Sequence, residues 1–91
     1  MQFEYDPEKS RVNKEKHGID FEDAKKIWDG NYVEIPVRSN TENRFAVIGK
    51  IVEIFWTAII TYRKKAIRLI SVRRSREKEE IIYEEYYRKD E

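Results

Sequence analysis

Two features of this chain can do chemistry. The first is His17, its single histidine. Imidazole is the one side chain that ordinarily titrates near neutrality, so His17 is the natural candidate for a general acid or base. Its place just before Gly18 equally suits a helix end, where a positive ring complements the C-terminal dipole and meets a free carbonyl. The second feature is a basic block: Arg63, Lys64, Lys65, Arg68, Arg73, Arg74 and Arg76 fall within residues 63–76, with no acid among them. The planar fork of arginine matches phosphate oxygens and the charge that develops in phosphoryl transfer. The alternative is a solvated edge strand whose arginines deter aggregation and pair with acids of the following helix. Geometry adds a condition. Side chains alternate along a strand, so Arg68 and Arg73 of a regular 66–73 strand would lie on opposite faces. A bulge or the strand's end must intervene before both serve one site.

Other candidates have simpler explanations. Glu42 and Arg44 share parity at the start of a strand and read as an exposed pair worth at most about 1 kcal/mol. Asp20, Glu22 and Asp23 resemble a hard-metal cluster, but an acidic first helical turn accounts for them without a metal. Trp28 and Trp56 can stack on bases, yet one falls on an apolar helical stripe and the other inside an apolar run, so both read as core. No P-loop and no dinucleotide-binding glycine pattern occurs.

The elements that must position these groups are bounded by a chain of 91 residues. One domain, 1–91, is expected, with a modest core and a shallow site, since a chain this short buries only about 60–65% of its unfolded surface. The absence of cysteine removes disulfides, iron–sulfur clusters and thiol nucleophiles, and with one histidine leaves no Cys/His zinc site. No metal or cofactor is expected. Net charge is +1, but residues 1–62 carry 9 basic and 11 acidic side chains and residues 77–91 carry seven acids against Lys78, Arg88 and Lys89. The positive charge is therefore concentrated in 63–76, as an anion-binding surface would require. With no basic-then-apolar leader and no apolar stretch of about 18 residues, the expectation is a soluble, cytoplasmic protein without membrane contact.

Residues 2–5 alternate as a short strand does. Asp6-Pro7-Glu8 then predicts a helix start, with a capping carboxylate, a proline at the first position and an acid at the positive dipole end; Gly18 ends the helix after His17. Asp20 caps a second helix whose Phe21, Ala24, Ile27 and Trp28 form one stripe, ending at Asp29-Gly30-Asn31. Strands follow at 32–37, 44–49, 54–62 and 66–73, the third apolar on both faces and therefore central. Spacers 50–53 and 63–65 predict antiparallel hairpins. A last helix over about 76–88, capped by Ser75 or a neighbour, completes the order β-α-α-β-β-β-β-α, an α+β domain with helices packed on a small antiparallel sheet.

Phe3-Glu4-Tyr5-Asp6, Lys9, Asn13, Lys16-His17-Gly18-Ile19, Phe21 and Ala24, then Glu42-Asn43-Arg44-Phe45 and Gly49, resemble the BrnT family of bacterial toxins. Thr61-Tyr62-Arg63, Ile67 through Ser75 and Ile82-Tyr83-Glu84 extend the resemblance over nearly the whole chain in order. The chain departs from the family's common Ser-Ala-Arg-Lys/Arg-Ala with Ser71-Val72-Arg73-Arg74-Ser75, and its 50–53 turn lacks Gly/Ser character. The resemblance implies a RelE-like fold and a small ribonuclease that stops translation. It also implies inhibition by an adjacent BrnA antitoxin, which supplies the DNA-binding element when the complex represses its own operon. Metal-independent cleavage of RNA needs a base for the 2′-hydroxyl, cations for the transition state and an acid for the leaving oxygen. On this reading His17 is the acid or base, Arg44, Arg68 and Arg73 are the cations, and Lys16, Arg63, Lys64, Lys65 and Arg74 hold the RNA backbone. The alternative is a non-catalytic RNA- or DNA-binding, or protein-interaction, module using the same basic hairpin.

Overall fold

A computed structural model describes residues 1–88; Lys89, Asp90 and Glu91, included in the 1–91 domain and the charge count above, lie outside the described residues. The element order is β1 (Gln2–Glu4), α1 (Pro7–His17), α2 (Phe21–Ala24) continued by a 3₁₀ turn (Lys25–Asp29), β2 (Tyr32–Val37), β3 (Arg44–Ile51), β4 (Ile54–Arg63), β5 (Ala66–Arg74) and α3 (Glu77–Arg88). Local signals explain the ends. The Asp6 carboxylate accepts from the Glu8 N–H, Pro7 opens α1, and Gly18 closes it at φ +81°, the left-handed conformation that glycine takes without a Cβ penalty. Asp20 likewise accepts from the Asp23 N–H. The expected second helix is in fact one α turn that tightens into 3₁₀ winding, where Ile27 meets the β3 backbone: a Cβ on Gly49 would lie 2.9 Å from Ile27 Cγ2.

The strands form one sheet in the order β1-β5-β4-β3-β2, with β4 at its centre as its two-faced apolarity predicts. The sheet is mixed, not wholly antiparallel: β2 to β5 make an antiparallel meander, and β1 adds in parallel to β5 with Phe3 opposite Ile67. A strand of three residues has no hairpin to dictate its partner, so the edge it joins is decided by where α1 and α2 pack. Both central hairpins are tighter than their predicted spacers. The β3–β4 turn is two residues, Val52 and Glu53, at φ +47° and +68°, and Lys64 in the β4–β5 turn is at +57°. A β-branched valine in the left-handed region is strained, the structural counterpart of the missing glycine.

The two faces of the sheet differ. On one, Val47, Ala58, Ile60, Leu69 and Val72 meet Phe21, Ala24 and Ile27 in the main core, with Trp28 and Trp56 packed against it. The other face carries Val33, Ala46, Ile48 and Thr57, all buried, and is covered by α3 only in part, through Tyr83 on Phe55 and Tyr87 donating to the Tyr32 carbonyl. Among the described residues no helix is long and apolar enough to cross a membrane.

Candidate active site on the open face of the sheet

A register shift brings the basic residues of β5 to one face. Ile59 pairs with Ser71 but Ile60 pairs with Leu69, so Ile70 is an extra residue without a partner on β4. This bulge resets the alternation: Arg68 pairs with Thr61 and Arg73 with Thr57, and both threonines lie on the α3 side of β4. Arg68, Ser71 and Arg73 therefore share the open face. Phe45 opposite Ile60 sets Arg44 beside Thr61, giving a cross-sheet row Arg44, Thr61, Arg68, Glu4. Two strand spacings put the Cα atoms of Arg44 and Arg68 roughly 10 Å apart, close enough for two long side chains to meet over Thr61. Arg73 lies about 13–16 Å farther along β5.

Each of the three arginines is held by a carboxylate. Arg44 binds Glu42 at 3.1 Å, the exposed pair expected from their parity. Arg68 binds Glu4 at 2.8 Å, and Arg63 reaches the same carboxylate oxygen at 3.5 Å. Arg73 forms a two-pronged pair with Glu79 of α3, both bonds 2.8 Å. Glu79 also accepts from Thr57 Oγ1 at 3.0 Å and from the Arg76 N–H at 2.8 Å. Burial pushes the Glu79 carboxyl up, but the hydrogen bonds from Arg73, the Arg76 N–H and Thr57 outweigh it and hold its pKa at about 2. The same bond raises that of Arg73 above its ordinary value. Ser75 does not cap α3; its hydroxyl shares a 2.7 Å hydrogen bond with Thr57, and Glu79 reaches back to the helix start instead.

The remaining candidates divide. Lys16 and His17 sit at the last turn of α1, lining a groove with Ile70 and Ser71 at the edge of the open face. His17 is exposed, and among the described residues it has no ion pair. Lys64 and Lys65 form the exposed tip of the β4–β5 turn beside Arg63. Arg74 is on the opposite face of the sheet, with its guanidinium 5.7 Å from the Trp56 ring centroid. The acids near α2 are structural: Asp20 caps, Glu22 binds Tyr5 and Lys25, and Asp23 pairs with Lys26. Among the described residues no three His, Cys, Asp or Glu side chains group as a metal site would.

Glu4 and Glu79 are the site residues that sequence reasoning missed. Glu79 carried a legible signal, the acid three residues after a helix start. Glu4 carried none, because its partner Arg68 is 64 residues away. A second long-range contact sets the edge of the site: Asn13 Nδ2 donates to the Val72 and Ile19 carbonyls, and Asn13 Oδ1 accepts from the Val72 N–H. One buried amide thus clamps α1 to β5 just past the bulge.

A comparison with curated proteins finds no match for the chain. The family model described as the ribonuclease toxin BrnT of a type II toxin-antitoxin system matches residues 5–79, which include the bulge, the three arginines, His17 and the Glu79 carboxylate. The chain belongs to the BrnT family of type II toxin-antitoxin ribonuclease toxins.

Proposed function

We propose that this chain, as a single RelE-like toxin domain, is a metal-independent endoribonuclease that cleaves RNA by attack of the 2′-hydroxyl on the adjacent phosphate. The 2′-oxygen loses its proton to a base and bonds to phosphorus. The bond to the 5′-oxygen breaks, and that oxygen takes up a proton. The products are a 2′,3′-cyclic phosphate and a 5′-hydroxyl. The observation that carries this reading is the bulge at Ile70, which turns Arg68 and Arg73 to the one face that also holds Arg44, with Arg68 in the cross-sheet row of Arg44. Arg44 and Arg68 supply the fork donors for the developing charge, and Arg73 is the third cation of the face, with Glu79 as its counter-charge. His17, at the edge by Ser71, is the acid or base. Lys16, Arg63, Lys64 and Lys65 hold the RNA backbone, while Arg74, on the far face, would reach only a strand that wraps around the sheet edge.

The partner is a BrnA-like protein antitoxin encoded beside the toxin in a cytoplasmic system, and operator DNA is met only through their complex. The test is cleavage of free and ribosome-bound RNA by the purified protein in excess EDTA, with the ends identified. Cyclic phosphate ends without added metal support the reading; cleavage only with a divalent metal, or salt-sensitive binding with no cleavage, overturns it in favour of a metal-dependent nuclease or a binding module. His17→Ala should cut activity by about 10²–10⁴ with little change in melting temperature. A destabilised but fully active variant assigns His17 to the helix end.

A further inference from the structure

β1 covers the outer edge of β5 only at Ala66–Arg68. Beyond it the edge is faced by α1, and the Asn13 clamp holds the helix against Val72. Between helix and strand runs an open groove lined by Lys9, Val12, Lys16 and His17 of α1 and by Ile70 and Ser71 of β5. Lys9, Val12 and Lys16 are spaced i, i+3 and i+7, so they fall on one helical face. Lys9 and Lys16 bracket a stretch of helix about 10 Å long. Val12 and the bulged Ile70 supply an apolar floor between them.

Charge pairing sets this groove apart from the open face. Arg44, Arg68 and Arg73 are each neutralised by a carboxylate. Among the described residues Lys9, Lys16 and His17 have no such partner, and Glu8, the one acid on the groove's rim, is tied to Arg11. Unneutralised cations around a half-buried apolar floor suit a phosphodiester with one unstacked base, and a duplex cannot lay a base into such a groove. Ser71 borders the groove and also lies on the face between Arg68 and Arg73, so a strand crossing that face reaches the groove without a break.

We propose that the groove between α1 and the free edge of β5 is a nucleotide subsite for single-stranded RNA, with a base on Val12 and Ile70 and the two phosphates that flank it on Lys9 and Lys16. The proposal rests on the ribonuclease reading for the direction of the strand, but its test does not depend on cleavage. The probe is a fully 2′-O-methylated oligoribonucleotide, which has no free 2′-hydroxyl to attack, titrated across a salt series. Lys9→Met and Lys16→Met should each lower the slope of log K against log salt by about 0.7, the value for one phosphate contact to a single strand. The double variant should bind roughly tenfold more weakly, and Lys14→Met, exposed on α1 outside the groove, should bind as the wild type does. The chain has one histidine, so its imidazole resonances can be followed without assignment and should move as the oligonucleotide saturates. Wild-type affinity and slope in the double variant, a stationary imidazole signal, or no binding by the wild type would each overturn the subsite. So would a Lys9→Met protein that loses only antitoxin affinity, which would assign the groove to the protein partner. Cleavage with an unchanged KM in the double variant removes the subsite and leaves the ribonuclease; lysine-dependent binding without cleavage of any RNA does the reverse.

Discussion

The two ends of the open face hold the same chemical pair, an arginine and a glutamate, in two environments. At the α3 end, the Arg73 and Glu79 side chains are 23% and 13% exposed, joined by two bonds, and Glu79 is further held by Thr57 and the Arg76 N–H. At the uncovered end, Arg68 and Glu4 are 31% and 38% exposed, joined by one short bond and shared with Arg63. A carboxylate in the first turn of a helix that accepts four hydrogen bonds, three of them from the sheet, fastens that helix to the sheet. A carboxylate at a wet edge can be exchanged for another oxyanion at little cost, because water screens the pair and solvates whichever group leaves. The same residue types therefore make a latch at one end and a replaceable anion seat at the other. The seat is the end at which a phosphate can enter.

The largest effect separating the two ends is on turnover. Arg68→Lys keeps the charge and loses the fork, so kcat for RNA cleavage should fall roughly 10–1000-fold with the melting temperature almost unchanged. Arg73→Lys should lower stability and turnover together. Equal melting temperatures for the two variants would erase the distinction between latch and seat. A raised KM at unchanged kcat for Arg68→Lys would make that arginine a positioning residue.

Next is the latch itself. Glu79→Gln leaves Arg73 half-buried without its counter-charge and should cost about 2–3 kcal/mol in urea unfolding. The pH dependence gives the same contribution a sign. Glu79 is held at about 2, below its ordinary value, so its stabilisation is complete above the ordinary carboxylate range and is lost as pH falls through its folded pKa. Wild-type stability should therefore drop by about 2 kcal/mol more than that of Glu79→Gln between roughly pH 5 and pH 2. Parallel acid profiles would show that the pair does not fasten α3.

Smaller still is Thr57→Val, which removes the hydroxyl bonded to Glu79 and Ser75. It should cost about 1–2 kcal/mol of stability and leave the RNA affinity of the uncovered end intact. The smallest effect on stability belongs to Glu4→Gln, below about 1 kcal/mol for an exposed pair. A cost matching that of Glu79→Gln would make Glu4 a second latch and close the proposed seat. Thermal and urea unfolding of the five variants, measured beside their cleavage rates, gives the whole order.

The sequence by itself determined what depends on neighbours a few residues apart. Asp6, Pro7 and Gly18 bound α1, Asp20 opens α2, the stripe from Phe21 to Trp28 finds the core, and the doubly apolar run in 54–62 becomes the central strand. Caps, turns and side-chain alternation act over one or two turns of chain, so they are written in the order of residues. Alternation even showed that Arg68 and Arg73 could not share a face without an irregularity, though not where it would fall. Only the tertiary structure decided that Ile70 is the bulged residue, that β1 joins β5 in parallel, that Asn13 clamps Val72, and that Glu4 meets Arg68 while Glu79 meets Arg73. Glu4–Arg68 and Asn13–Val72 join residues 64 and 59 positions apart. Their energies depend on which elements pack together and on how deeply, and no local pattern encodes either; that is why the basic block could be read as an anion surface from its composition, while the division of that surface into a latch and an open seat required the folded sheet.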